Sequence, residues 1–322
     1  MAELGALETC TSSELVPLLE VLNPRAAVDS ISRAWSRDAD ITWIHSLNFD
    51  DVAESEFADG IVSMFEELRE NVRAVPVITV TEGAETLAAV ARIVESDRRG
   101  VVFRLEAEDL LEEGADISSQ LVATMQVLHV SYGEVDIVLD AGLVDGAPPV
   151  LAAVADQCLR AMPELTHWRN VVVAFSAFPN PVSTVVPVSS VGSVPRNEAP
   201  AFMATKRGIS RELIYADYAI GTPTYASVPF APIPNIRYAS GASWQVHRAA
   251  QKKDPSPQYR QLAQDVVAAP YYSGPEFSPG DQQIENVSSG VSGPGNAMTH
   301  LRAGISRHLH VVLDRLATLG EP

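Results

Sequence analysis

The chain has 322 residues, 46% hydrophobic and 20% charged, with 22 Pro and 19 Gly, which excludes disordered, collagen-like and coiled-coil classes. Its formal net charge is −18, and the first 120 residues hold 25 acids against nine arginines and no lysine, so general nucleic-acid binding is not expected. Two cysteines, Cys10 and Cys158, build no disulfide framework. No apolar run approaches the roughly 18–20 residues of a membrane span, and the N-terminus lacks a signal-peptide pattern, so a soluble cytoplasmic protein without membrane contact is expected.

Short β-branched runs alternate with segments of helical spacing. Strands are expected at 16–20, 41–46, 75–80, 100–105, 135–140 and 170–176, each run apolar without polar alternation, as strands buried on both faces are. Between them, Phe57, Ile61, Met64, Phe65 and Leu68 line one helical face, and further helices carry Leu87, Val90 and Val94, then Leu121 and Leu128, then 149–162. Residues 179–194 read as a long loop, 199–207 as a helix, and 214–219 as a seventh strand. A Pro-rich loop leads to an eighth strand at 235–239, with 243–248 hairpinned back on it. The stretch 257–267 is helical, 271–295 is a Gly/Ser/Pro-rich segment, and a terminal helix over 298–319 is capped by Asn296.

Evenly spaced βα units predict a parallel sheet, and the absence of G-x-G-x-x-G, P-loop and G-x-S-x-G patterns favours a TIM-barrel-like β/α barrel over a nucleotide-binding open sheet. One domain is expected over residues 1–322, regular over 1–178 and irregular over 179–322, where closing strands, long loops and C-terminal helices follow.

In such a barrel, function gathers at the C-terminal strand ends. The polar residues there are Glu20, His45, Thr79 or Thr81, Arg104, Asp140, Ser176, Asp217 and Arg237. Arg104 and Arg237 can fork a carboxylate or phosphate. Asp140 and Asp217 suit general acid–base work or pairing with those arginines, and His45 suits proton transfer. Ser176, Tyr218, Tyr238 and Trp244, with Glu20, complete the candidate ligand lining. The bland alternatives are an internal Arg–Asp network and a structural histidine. Glu20, His45, Asp140 and Asp217 offer ligand types for Mg, Mn or a non-haem metal, but scattered over separate strands they make only a weak metal signal, and no motif names a cofactor. Arg104, Asp140, Asp217 and Arg237 are expected in one cluster at the barrel mouth. Gly293-Pro-Gly-Asn296 reads either as a turn with an N-cap or as an anion-binding helix start.

Several segments together resemble the beta protein family of phages and bacteria: Trp168-Arg-Asn-Val-Val-Val-Ala-Phe-Ser-Ala-Phe-Pro179, Val194-Pro-Arg-Asn-Glu198, Tyr215-Ala-Asp-Tyr-Ala-Ile-Gly221, Ile236-Arg-Tyr-Ala239, Phe277-Ser-Pro-Gly-Asp281 and Gly293-Pro-Gly-Asn296. Gly100 to Asp109 and Val138 to Gly142 fit the same pattern, and the resemblance covers nearly the whole chain. It implies a phage or mobile-element setting, with a role in phage–host conflict by association and no settled activity. Members commonly begin with a further strand and a Lys-x-x-x-Gly-Glu-like segment, whereas this chain starts near it with Met1-Ala-Glu3. The ring is therefore either closed by 236–239 or left incomplete.

Two functions follow. One is binding or processing of a small anionic ligand at the mouth. The other is a non-catalytic defence or phage-associated protein that docks a partner through its acidic N-terminal half; the same acids also read simply as a solvated face.

Overall fold

Apolar β-branched runs pair in chain order. The computed structural model describes residues 2–10, 14–35, 41–49, 51–144, 147–221 and 232–322. Helix α1 (Ala2–Leu7) precedes β1 (Leu18–Val21), α2 (Pro24–Ala34), β2 (Ile41–Ser46), α3 (Glu54–Leu68) and β3 (Arg73–Ile78). Then come α4 (Ala84–Asp97), β4 (Val101–Glu106), α5 (Ala107–Leu128), β5 (Val135–Leu143), α6 (Pro148–Ala161) and β6 (Asn170–Ser176). The chain leaves the sheet for β7 (Ser190–Pro195) and α7 (Glu198–Gly208), and returns as β8 (Ile214–Asp217). Last are β9 (Asn235–Ser240), β10 (Ser243–Arg248), α8 (Pro255–Val267), α9 (Pro279–Ser289) and α10 (Ala297–Leu319).

Strands β1-β2-β3-β4-β5-β6-β8 form one parallel sheet, curled into a half-barrel and flanked by helices, a TIM-barrel-like arrangement. Side chains alternate between its faces. Trp43, Val75, Val77, Val102, Val138, Val172 and Ala174 pack together on the concave face. The other parity, with Phe103, Leu105, Ile137, Leu139, Val173 and Phe175, packs against Leu121, Leu159 and Phe202 of the helices. Burial on both faces explains why the strands read as continuous apolar runs.

The ring is not closed among the described residues: β1 and β8 stand at the sheet's two edges. The expected eighth barrel strand instead belongs to a separate antiparallel sheet, ordered β7-β10-β9. Only Gly241 and Ala242 separate β9 from β10, and Gly241 adopts φ 58°, the left-handed backbone a two-residue hairpin needs. Pairing with the adjacent segment therefore takes the strand away from β1. The Pro-rich stretch at 222–231 lies outside the described residues.

Two other expectations change. Residues 179–194 hold most of β7, an edge strand whose Ser/Gly content and exposed alternate residues hid it. Within 271–295 lies α9, started by Ser278, whose Oγ accepts from Asp281 N at 3.1 Å, with Pro279 at the first helical position. As expected, Asn296 caps α10, its Oδ1 accepting from Thr299 N at 3.1 Å. Ala2 and Ala6 of α1 pack with Trp244, Val246, Ile305 and Val311, so the first helix seats against the last. No described helix is long and apolar enough to cross a membrane.

Candidate functional site

The concave row of the sheet changes character at its C-terminal end. Below lie Val102 and Val138; two residues further along the same strands come Arg104 and Asp140, with Glu20 on β1, His45 on β2 and Tyr218 just after β8. Strand parity delivers all of them to one side.

Arg104 is the centre, its side chain only 9% exposed. Its Nε and Nη2 donate to Asp140 Oδ2 at 3.1 and 2.7 Å. Nη1 donates to Glu20 Oε1 at 2.5 Å and to His45 Nδ1 at 3.3 Å, and Nη2 also donates to the Tyr218 hydroxyl at 2.6 Å. Tyr218 passes its own proton to a hydrogen bond with Asp140, whose Oδ1 accepts from Gly142 N at 3.0 Å. All five guanidinium N–H groups are thereby engaged.

Because a guanidinium only donates, His45 Nδ1 must accept, which puts the ring proton on Nε2. Burial, helped by the Arg104 charge and opposed by Glu20, lowers the His45 pKa to about 4, so the ring is neutral at pH 7. Burial and the neighbouring Asp140 carboxylate push the Tyr218 phenol far above its usual range, keeping it a donor.

Glu106 ends β4 two residues after Arg104. Burial, reinforced by Asp140 and partly offset by Arg104, raises its pKa to about 7. Its carboxylate lies 3.6 Å from Arg104 Nε, too far for a hydrogen bond, and its side chain is 49% exposed. The charge pair alone would lower the value; burial, with the neighbouring carboxylates, outweighs it. Glu106 is thus the site's solvent-facing group able to exchange a proton near neutrality. Sequence reasoning passed over it, although the Arg-x-Glu spacing at a strand end was the available signal.

The structure brings Glu20, His45, Arg104, Asp140 and Tyr218 together and separates the rest. Asp217 has the opposite parity from Tyr218 and faces the helices. There it accepts from His308 Nε2 at 2.8 Å, Tyr215 Oη at 2.5 Å and Ala219 N at 2.8 Å. Burial opposes its charge, but His308, Tyr215 and Arg196 together hold it well below the usual carboxylate range. Trp244 is buried behind it, donating to His308 Nδ1 at 3.2 Å, and does not line the mouth. Arg196 pairs with Glu198 at 2.8 Å alongside.

Tyr238 is fully buried in the second sheet and donates to Asp281 Oδ1 at 2.8 Å. The same carboxylate takes Arg307 at 3.0 Å, between the rings of Tyr238 and Phe277. This network ties β9, α9 and α10 together as interior structure. Arg237, carried off with β9, rests its guanidinium 4.4 Å from the Phe178 ring centre and donates to Ile220 O at 2.7 Å. Ser176 Oγ, at the end of β6, donates to Gly221 O at 3.2 Å. Among the described residues neither Arg104 nor Asp140 shares a hydrogen bond or ion pair with Asp217 or Arg237, so the expected four-residue cluster divides.

No group of three or more His, Cys, Asp or Glu among the described residues is arranged to hold a metal ion. The arrangement can bind a polar group and exchange a proton with it.

No curated protein matches the chain. The Beta protein family model, in contrast, matches residues 1–314, nearly the full length. With a parallel half-barrel of βα units and an irregular C-terminal part under one continuous match, the chain belongs to the Beta protein family.

Proposed function

We propose that the chain binds a small polar ligand at the C-terminal mouth of its half-barrel and exchanges a proton with it through Glu106. The observation that carries this is the meeting of three other strand ends and Tyr218 on Arg104 beside a half-exposed carboxyl with a pKa of about 7. The ligand favoured is neutral or cationic and rich in donors, rather than the anion suggested by the sequence. Arg104 has no N–H left to offer, and three carboxylates, Glu20, Glu106 and Asp140, surround its single charge. Asp140, tied to Arg104, Tyr218 and Gly142, serves to fix the guanidinium.

Native mass spectrometry of the purified protein tests this. A small molecule retained by the native chain and lost in Glu106→Gln, with the unfolding temperature nearly unchanged, is the expected result. Equal retention by both, or no small molecule in either, argues against it.

The exposed acids of α3 and α5, among them Glu56, Asp59, Glu66, Glu67, Glu108, Asp109, Glu112 and Asp116, favour a second reading. In it the chain is a non-catalytic protein of phage–host conflict that docks a basic partner on these helices. A partner that co-purifies at low salt and is released at high salt would support that reading.

A further inference from the structure

A cavity of about 90 Å³ opens between β9, α8 and the start of α10, sharing no lining residue with the Arg104 cluster. Arg237 enters it as a cation without an acidic partner among the described residues. Nε donates to Asn235 Oδ1 at 3.3 Å and Nη1 to Ile220 O at 2.7 Å, and Nη2 makes no hydrogen bond to a described residue. Burial lowers its pKa to about 10, and the group that opposes this shift is the Tyr259 phenol rather than a carboxylate. A half-buried charge with no carboxylate beside it is costly to desolvate, so Arg237 invites a counter-ion.

The opposite wall supplies an orphaned acceptor. His300 is 1% exposed, lines the cavity and stacks on Tyr259 with ring centres 4.4 Å apart at 10°. Its Nε2 lies 2.9 Å from Pro294 O, an acceptor, so Nε2 carries the proton and Nδ1 presents a lone pair. That Nδ1 is buried and has no partner among the described residues. Burial, partly offset by the Pro294 hydrogen bond, lowers the His300 pKa and keeps Nδ1 unprotonated. The Tyr259 hydroxyl also makes no hydrogen bond among the described residues, and Ala297, the first residue of the 23-residue α10, places a positive helix end on the same space.

We propose that this cavity binds a protonated phosphoryl group, with its oxygens accepting from Arg237, Tyr259 and the first turn of α10 and its P–OH donating to His300 Nδ1. The volume accommodates one such group. An ionised carboxylate or a sulfate satisfies the donors equally but leaves Nδ1 unpaired, and that distinguishes the ligand.

Calorimetric titration of the whole chain near pH 6.5 with inorganic phosphate, sulfate and glycerol 3-phosphate tests the site. Phosphate should bind at least about tenfold tighter than sulfate. Tyr259→Phe, which removes one hydroxyl, should weaken phosphate binding about tenfold while leaving thermal unfolding nearly unchanged. His300→Phe preserves the ring stack and should bring phosphate down to the affinity of sulfate. Glycerol 3-phosphate binding as tightly as phosphate assigns the site to monoesters; binding of phosphate alone assigns it to the free ion. No binding of either phosphate form, equal affinity for phosphate and sulfate, or unchanged binding in Tyr259→Phe overturns the proposal. None of these outcomes bears on the Arg104 mouth.

Discussion

Arg104 Nη1 lies 2.5 Å from Glu20 Oε1, although β1 and β4 stand three positions apart in the sheet. Neighbouring strands are about 4.8 Å apart, so a flat sheet would hold those backbones about 14 Å from each other. The contact requires the curl that places both edges over one guanidinium. Arg104 is thus a cross-brace of the half-barrel as well as the centre of its polar mouth.

Removing that brace should be expensive. Arg104→Ala strands the Asp140 carboxylate, whose side chain is 1% exposed, beside Tyr218. A loss of roughly 3–5 kcal/mol in urea unfolding is expected. Arg104→Lys should recover only part of it, since one ammonium cannot serve Asp140, Glu20, His45 and Tyr218 together. A loss below about 1 kcal/mol in Arg104→Ala would refute the bracing role.

Two groups at the mouth shift stability with pH in opposite senses. Glu106 moves from 4.5 to about 7, so the folded chain binds more protons than the unfolded one between those values. Its contribution is present at low pH and lost as pH rises through 7. His45 moves from 6.5 to about 4, so its contribution is present above 6.5 and lost as pH falls toward 4. Glu106→Gln should therefore gain stability relative to the native chain between pH 5 and pH 8. His45→Gln should flatten the acid-side loss. Urea midpoints across that range check both signs.

Asp140 and Asp217, equivalent by sequence, should separate by experiment. Asp217→Asn weakens hydrogen bonds with His308 and Tyr215 on the helix side. A destabilisation of about 1–3 kcal/mol is expected, with ligand retention at the mouth unchanged. Asp140→Asn should impair both, because it releases Arg104. Loss of retention in Asp217→Asn with an intact fold would contradict the assignment of faces.

At Gly304, α10 seats tightly on β9. A Cβ there would stand 2.7 Å from Ile220 Cδ1 and 2.8 Å from Arg237 O, the latter an unyielding backbone atom. Gly304→Val should cost about 1–3 kcal/mol in thermal or urea unfolding. A neutral substitution would mean that the helix can lift from the sheet freely.

The βα order was legible because strands such as Val171-Val-Val173 and helical faces such as Phe57, Ile61 and Phe65 repeat with unmistakable periods. Arg104 and Asp140 were legible as well, being strand-end residues on adjacent strands. Asp217 was misplaced by one residue of parity, since β8 is only four residues long and its apolar pattern does not distinguish a face. Arg237 was misplaced because pairing choice is a tertiary property: a two-residue hairpin with β10 competes against closure with β1, and periodicity is silent about the winner. Arg-x-Glu spacing could have placed Glu106 at the mouth, but its raised pKa, like the orphaned Nδ1 of His300, comes from burial and neighbours.

The cross-brace also has a kinetic side. Glu20 and Arg104 are 84 residues apart in the chain, and Arg104 and Tyr218 are 114 apart, whereas each βα unit closes locally. Joining such distant segments carries a large loop-closure cost and belongs to the slow part of folding. The polar mouth is therefore assembled last, when the first and seventh strands of the half-barrel are both seated. Completion of the Arg104 cluster becomes an internal signal that the whole parallel sheet has formed, and a chain stalled before β8 folds would leave the mouth without Tyr218.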